Sequence, residues 1–400
     1  MKLFNCDNCG HAVFFENVSC LHCGSKLAFL PPRMSVAALE PVPESDGVWI
    51  RKKRGNATST RRYRLCQNNT QHQACNFAIP ESDPNPLCVS CRLTQILPDL
   101  SIEGNHERWF RIETAKRRLF YTLARLGLVS VDPPAGEQDG PVFQFLADQP
   151  GQQVMTGHCN GLITLNVAEA DDDERVRRRL QLREPYRTLL GHLRHESGHY
   201  YWDRLVRDAG RLEEFRAVFG DEQADYGQSL QTYYASGAPA SWQDNFVSAY
   251  ATAHPWEDWA ETWAHYLHMV DLLETAASYN TRLVVPGPEE DYDEVSNPFE
   301  TGPTDFDHLV EQWVPLTLLL NSLNRSLGQD DAYPFALSPA ALDKLRFIHD
   351  LIQSPHAQLE QEPQSDNCQV GQVDDGSQSP QVEPAEPPAQ SGAPQPAETT

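Results

Sequence analysis

Apolar residues recur at helical spacing in several stretches of the 400-residue chain. One predicted helix runs from Glu107 to Leu128, and another from Pro185, which suits a first helical turn, to about Asp208. A third is predicted from Pro255 to Ala277, with an apolar face that we expect to pack in the core: Trp256, Trp259, Trp263, Tyr266 and Val270. Two more are predicted near 307–323 and 339–352. Residues 161–167 instead alternate with a period of two, which predicts a strand.

Composition divides the chain into five segments. We expect a zinc ribbon over 1–30, an extended Pro-rich linker over 31–47, a second cysteine-rich module over 48–100, and a mainly helical domain with a small sheet over 101–353. The acidic Gln/Pro-rich segment 354–400 has eight acidic residues, no Lys or Arg and almost no large apolar side chain, which predicts disorder. The predicted fold class is therefore α+β, with small N-terminal zinc-binding modules and a disordered C-terminal tail.

The net charge of -24 at pH 7 argues against nonspecific nucleic-acid binding by the chain as a whole. The sign inverts in a basic stretch over 51–64, which is either a docking surface for nucleic acid or an acidic protein, or a solvated loop. We favour the loop, since most short charge runs are solvated. No apolar run approaches the ~18 residues that span a bilayer. The N-terminus lacks an apolar signal-peptide region, so we expect a cytoplasmic protein without membrane contact.

We see no export signal in this cysteine-rich chain. Because the cytosol keeps thiols reduced, its cysteines are expected to bind metal as thiolates. Two CxxC pairs near the N-terminus have zinc-ribbon spacing and form one predicted structural site: Cys6, Cys9, Cys20 and Cys23. A looser group predicts a second: Cys66, Cys75, Cys88 and Cys91. His22 and His72 are the alternative ligands in the first and second group. We therefore expect one or two structural zinc ions.

A catalytic metal site is predicted within the helix after Pro185, which contains an HExxH motif. His195 and His199 stand at i and i+4, so both imidazoles reach a single ion from one helical face. Glu196 lies about 100° round the helix, where its carboxylate can meet a metal-bound water. His192 lies on the same face one turn earlier, and we favour a packing or supporting role for it over a ligand role.

A catalytic zinc needs a third protein ligand and an open position for water. Candidates recur at helical spacing in the helix after Pro255: Glu257, Glu261, His265 and His268. Glu257 lies in the first turn, near backbone N–H groups that favour an ionised carboxylate. Glu261, one turn deeper, is better placed to support a ligating imidazole.

The HExxH and the ExxxE formed by Glu257 and Glu261, within the sequence WEDWAETWAHYL, resemble the gluzincin metallopeptidases. The CxxC…CxxCG ribbon makes the likeness more specific. The combination resembles a bacterial family of zinc-binding metallopeptidases that carry a zinc-ribbon domain, over most of residues 1–350. This resemblance implies a zincin-like fold for 101–353, with Glu257 as the third ligand and Glu261 bracing a histidine.

Resemblance to the lethal-factor type of gluzincin further implies an oxyanion-stabilising tyrosine seven residues before the ligand glutamate, where Tyr250 stands. Tyr233, Tyr234 and His265 remain alternatives for that role.

These residues together predict a zinc metallopeptidase that acts on peptides or proteins, with Glu196 as general base. Residues 162–167 are expected to pair with an extended peptide substrate, as strands at sheet edges do. The alternative is a zinc-ribbon adaptor that binds nucleic acid or protein, with the peptidase-like domain as an inactive scaffold.

Overall fold

An antiparallel sheet organises the cysteine-rich region. The computed structural model describes residues 2–52, 58–134, 139–149, 151, 153–175, 177, 188–283, 293–300, 304–333 and 335–354. A short hairpin of β1 (Phe4–Asn5) and β2 (Ala12–Val13) comes first. Five antiparallel strands then pair in chain order: β3 (Lys26–Leu30), β4 (Ser35–Pro41), β5 (Val48–Lys52), β6 (Thr58–Leu65) and β7 (Ala78–Pro80). The sheet connects the two cysteine groups.

The predicted linker over 31–47 is wrong. Pro31–Arg33 forms a single 3₁₀ turn, and β4 pairs with β3 on one side and β5 on the other. Four consecutive residues of β4 are buried because both faces of the strand are covered: Val36, Ala37, Ala38 and Leu39. The prolines flank this apolar run and occupy the turn and the strand end, where no ladder hydrogen bond is lost.

A second, mixed sheet has the strand order β10-β11-β9-β8. Its strands are β8 (Thr94–Ile96), β9 (Val142–Leu146), β10 (Gly157–Cys159) and β11 (Leu162–Asn166). β8 belongs to the segment predicted as the second cysteine-rich module, so this sheet crosses the expected boundary near residue 100. The predicted strand at 162–167 exists as β11, but it pairs with β10 and β9 and is not an edge strand. β10 is the edge.

Helices supply most of the remaining described chain, as expected. They are α1 (Gln67–His72), α2 (Asn105–Arg125), α3 (Leu189–Trp202), α4 (Leu212–Phe219), α5 (Tyr226–Ser236), α6 (Pro255–Ser278), α7 (Phe306–Ser326) and α8 (Pro339–Gln353). A π-helical turn, Asp203–Arg207, extends α3, and two-residue strands β12 (Arg282–Leu283) and β13 (Asp293–Glu294) pair after α6. The α+β prediction is confirmed.

The helix that carries HExxH begins at Leu189, later than predicted. Thr188 caps it by accepting a hydrogen bond from the backbone N–H of Gly191 at 2.9 Å. Pro185 and the tail from 355 onward lie outside the described residues. Within the described part of the chain, no helix has both the length and the apolar character to cross a membrane.

Candidate metal centre

The centre forms where α3 crosses α6 at very short range. Gly198 makes this possible: a Cβ built there would lie 2.9 Å from the Cα of Ala260 and 3.2 Å from the Cβ of Trp263. Two indole N–H groups of α6 also reach α3. Trp259 donates to the carbonyl of Gly198 at 2.8 Å, and Trp263 donates to the hydroxyl of Ser197 at 3.1 Å. The glycine inside HExxH therefore fixes how closely the two helices approach.

Three buried side chains at the crossing form a metal-ligand set. One donor atom from each of His195, His199 and Glu257 lies within 4.8 Å of the others. The Nε2 of His195 is 3.0 Å from Oε2 of Glu257, and the Nε2 of His199 is 3.6 Å from Oε1. Two imidazoles and a carboxylate are the donors that catalytic zinc sites use with an open fourth position.

Unpartnered buried atoms support an ion at this point. Oε2 of Glu196 is buried without a hydrogen-bond partner among the described residues, and Oε2 of Glu257 is buried with only Nε2 of His195 close to it, at 3.0 Å and without hydrogen-bond geometry. Burial would raise the pKa of Glu257, but the charges and hydrogen bonds of His199 and His195 hold it well below its usual value. An ionised, buried carboxylate with an unused oxygen costs free energy unless a cation compensates it, so the residues fit a zinc ion.

Two of the three candidate ligands, His195 and Glu257, have a supporting hydrogen bond. Oε1 of Glu261 lies 2.7 Å from Nδ1 of His195, and the hydroxyl of Ser248 donates to Oε2 of Glu261 at 2.6 Å. The hydroxyl of Tyr226 donates to Oε1 of Glu257 at 2.7 Å. An acceptor at Nδ1 leaves Nε2 of His195 as the metal-facing nitrogen. Glu257 thus lies in the candidate ligand set, and Glu261 lies against the far nitrogen of His195.

Sequence reasoning missed Tyr226 and Ser248. They precede their glutamate partners by 31 and 13 residues, and neither belongs to a motif with a fixed spacing. Only the fold brings them to α6. Burial and the neighbouring carboxylate of Glu257 raise the pKa of Tyr226, so its hydroxyl remains a donor.

One carboxylate oxygen of Glu196 contacts a histidine, and the other has no hydrogen-bond partner among the described residues. The Nε2 of His192 lies 3.1 Å from Oε1 of Glu196, while Nδ1 of His192 lies 2.5 Å from Oε2 of Glu169. Burial alone would raise the pKa of Glu196, but the hydrogen bond from His192 and the charges of the nearby histidines lower it. His192 is thus placed in a supporting position, outside the ligand set.

Aromatic rings line the candidate metal centre. The ring of Trp256 packs on His199 with 3.8 Å between centroids, so this tryptophan is half-buried at the site, unlike the fully buried Trp259 and Trp263. His158 of the edge strand β10 stacks beside His199 at 6.3 Å. The ring of Tyr250 lies 5.9 Å from that of His195. The centre is therefore lined by the predicted Tyr250 and by His158 of the edge strand β10.

His265, one of the alternatives to Tyr250 as oxyanion donor, instead contacts Tyr333 and Phe335. Its Nδ1 lies 2.6 Å from the hydroxyl of Tyr333, and its ring packs against Phe335 with 4.5 Å between centroids. Burial lowers the pKa of His265 to about 4, which keeps it neutral. His265 therefore packs among buried side chains near Glu261. Tyr233 contacts the ring of Tyr250 at 5.5 Å, and Tyr234 contacts Tyr233.

Both cysteine groups have the geometry of tetrahedral thiolate sites. Zn–S bonds of about 2.3 Å place sulfur atoms roughly 3.8 Å apart. The distances are 3.8 Å between the sulfurs of Cys6 and Cys23, 3.6 Å for Cys9 and Cys20, and 3.8 Å for Cys75 and Cys88. Cys66 and Cys91 complete the second group.

Neither alternative histidine is needed at these sites. His22 stacks on His11 with 3.6 Å between ring centroids, and His72 packs against Trp109. The four cysteines of each group come together without them.

A buried arginine of the helical region faces the second cysteine group. Arg117 of α2 donates from Nη1 to the carbonyl of Ala74 at 2.7 Å. Burial would lower its pKa, but the negative charges of the nearby Cys75, Cys91, Glu113 and Cys88 raise it. Four thiolates around one zinc leave a net charge of about -2, and a buried cation next to them compensates part of it.

The described arginines of the basic stretch are engaged within the chain. Arg51 pairs with Asp7 at 2.5 Å, and Arg62 pairs with Glu81 at 3.0 Å. Arg64 donates to the backbone carbonyls of Asp83 and Asn85. The favoured solvated loop is wrong for the described part of the stretch, which lies in β5 and β6. The contacts of these arginines within the chain also do not favour a nucleic-acid surface.

Two family models match this chain, and similar proteins are known from mycobacteria. A family model described as "putative zinc-binding metallo-peptidase" matches residues 105–351, and one described as a zinc-ribbon domain matches residues 3–102. An uncharacterized protein of Mycobacterium bovis is 41% identical over 353 residues, which cover 88% of this chain and 95% of that protein. Uncharacterized proteins of two Mycobacterium tuberculosis strains, CDC 1551 and H37Rv, match with the same values. No solved structure matches the chain.

Proposed function

Since the chain belongs to the zinc-binding metallo-peptidase family, with a zinc-ribbon domain at its N-terminus, we propose that it hydrolyses peptide bonds at the α3–α6 crossing. The observation that carries this proposal is the buried set of His195, His199 and Glu257, with Glu196 beside it. A structural zinc site closes its shell with four protein ligands, whereas this set has three and an adjacent carboxylate that is not a ligand.

A zinc ion held by these three residues would lower the pKa of a bound water and polarise the substrate carbonyl. Glu196 accepts the proton of the attacking water at Oε2, the oxygen that has no hydrogen-bond partner among the described residues. It then delivers this proton to the leaving amine as the C–N bond breaks. Tyr250, whose ring faces His195, donates to the developing oxyanion.

The substrate is a peptide in an extended conformation. The edge strand β10 lies against α3, and its residue His158 lies beside His199. A peptide that added to this edge would run past the metal ligands with its main chain hydrogen-bonded to β10. This proposal replaces the expected pairing with residues 162–167, because β11 already has a neighbour on each side.

The two cysteine groups hold one structural zinc ion each, which makes three ions per chain with the catalytic one. Their sulfur–sulfur distances fit four-coordinate zinc. No observation favours the adaptor alternative, since the described arginines of the basic stretch bind within the chain.

The test is hydrolysis of an unbiased peptide library by the zinc-loaded full chain, with cleavage products identified by mass spectrometry. Glu196→Gln is the matched control, since the amide has nearly the same shape and cannot accept the proton. We expect the variant to keep its zinc and its fold and to lose about 10²- to 10⁴-fold in rate. Equal cleavage by wild type and variant, or none by the zinc-loaded wild type, would refute the proposal.

A further inference from the structure

We propose that His192 and Glu169 are positioning residues for Glu196, and that together they leave Oε2 of Glu196 as the oxygen that takes the proton. The inference rests on the proposed function, since it assigns how the general base of that reaction is held.

Three side chains form a continuous chain of contacts toward the metal centre. Oε2 of Glu169 lies 2.5 Å from Nδ1 of His192, and Nε2 of His192 lies 3.1 Å from Oε1 of Glu196. The carboxylate of Glu196 is buried, and its other oxygen has no hydrogen-bond partner among the described residues. The histidine therefore holds one oxygen of the base and leaves the other for the reaction.

The far end of this chain is fixed to the sheet. Glu169 is 1% exposed and lies in the 3₁₀ turn Val167–Ala170, which directly follows β11. Its Oε1 accepts a hydrogen bond from the hydroxyl of Thr156 at 2.7 Å. Glu169 thus has both oxygens engaged and little freedom to move. Because Glu169 lies outside α3, its contact with Nδ1 restrains the orientation of the His192 ring from the side of the sheet.

Both ring nitrogens of His192 face carboxylate oxygens. An ionised carboxylate only accepts hydrogen bonds, so the proposal requires that His192 carry an N–H on each ring nitrogen. The resulting contacts are charge-assisted, which makes them short and orienting.

Positioning matters for this base because a general base works only within hydrogen-bond reach of the proton. A misplacement of about 1 Å can reduce a rate by roughly 100-fold. Glu196 lies on the same helix as two metal ligands, so the helix sets its Cα but not the rotation of its carboxylate. His192, one turn earlier on that helix, supplies the missing restraint.

The experiment compares four variants in the zinc-loaded full chain: His192→Leu, His192→Gln, Glu169→Ala and the His192→Leu/Glu169→Ala double variant. We expect His192→Leu to lower kcat about 10- to 100-fold, the usual cost of losing an outer-shell partner, with KM and zinc content unchanged. His192→Gln keeps a donor toward Glu196 and should recover most of the rate. His106→Leu, a remote exposed histidine of α2, is the matched control.

Non-additivity separates positioning from general damage to the fold. If Glu169 affects the rate through His192, the double variant should be no slower than His192→Leu alone. Additive losses, an unchanged kcat in His192→Leu, or no recovery by His192→Gln would each overturn the proposal.

A second readout does not depend on hydrolysis. In ¹⁵N-histidine-labelled, zinc-loaded protein we expect one ring with both nitrogens protonated and protected from exchange, whose signals vanish in His192→Gln and weaken in Glu169→Ala. If the wild type cleaves no peptide, the proposed function fails while this spectrum still decides the placement of His192. A His192 ring with a single N–H would overturn the inference.

Discussion

Gly198→Ala is the substitution that most directly tests whether the α3–α6 crossing builds the metal centre. The new Cβ would lie 2.9 Å from the Cα of Ala260, a backbone atom that no side-chain rotation can move. Carbon atoms pack at about 3.5–4.0 Å, so the helices must separate locally by roughly 1 Å. The metal ligands are divided between these two helices, with His195 and His199 on α3 and Glu257 on α6.

The expected magnitude combines two opposed effects. Alanine favours a helix over glycine by about 1 kcal/mol in a helix interior. Overpacking a close contact costs about 1–3 kcal/mol, and a backbone contact belongs in the upper part of that range. We therefore expect the free energy of unfolding to fall by about 1–2 kcal/mol. Metal–ligand distances tolerate only about 0.2 Å, so zinc affinity should fall at least about 10-fold.

The assay is urea unfolding together with zinc competition against a chelator of known affinity. Gly227→Ala is the matched control for stability, because Gly227 also lies in a helix and its built Cβ meets only a side-chain oxygen of Asp225, at 3.6 Å. We expect that variant to unfold at the same or slightly higher urea. A Gly198→Ala protein that is as stable as wild type and retains zinc as tightly would refute the reasoning.

Three further predictions follow from the ion pairs and ligand sets. Lys344→Met should lower the free energy of unfolding by about 3 kcal/mol or more, because it removes the partner 2.6 Å from the fully buried Asp258; an unchanged urea midpoint would contradict this. Glu257→Ala should abolish zinc retention at the catalytic site, whereas Glu261→Ala should weaken it about 10- to 100-fold; equal losses in equilibrium dialysis would make the assigned roles wrong. Cys88→Ser should remove one zinc ion per chain by elemental analysis and leave the catalytic ion in place, and unchanged stoichiometry would show that the second cysteine group holds no metal.

The helices and the ligand set could be predicted because their signals are local. An apolar period of 3.6 residues predicted α2 and α6 to within a few residues, and i, i+4 spacing alone brings His195 and His199 to one face. Glu257 could be proposed because it starts a second helix with an ExxxE motif. Its distance from the two histidines still had to come from the fold.

The remaining features depend on contacts between distant segments. Val36 to Leu39 look like part of a Pro-rich linker until strands are available on both sides to cover them. β11 has the alternation of an edge strand, and only the pairing with β10 shows that it is internal. Glu169 precedes His192 by 23 residues across a segment with no spacing rule, so its role could not be predicted from the sequence.

The position of Arg117 makes the two regions of the chain a single folding unit. This side chain belongs to α2, yet it is buried against the second cysteine group, and β8 from the cysteine-rich region completes the sheet beside α2. One hydrophobic core runs from Phe4 to Ile352. Loss of the structural metal would therefore expose buried surface on the peptidase side as well. We therefore expect zinc starvation to lower the amount of the whole chain, because a chain without its structural metal would unfold as one unit.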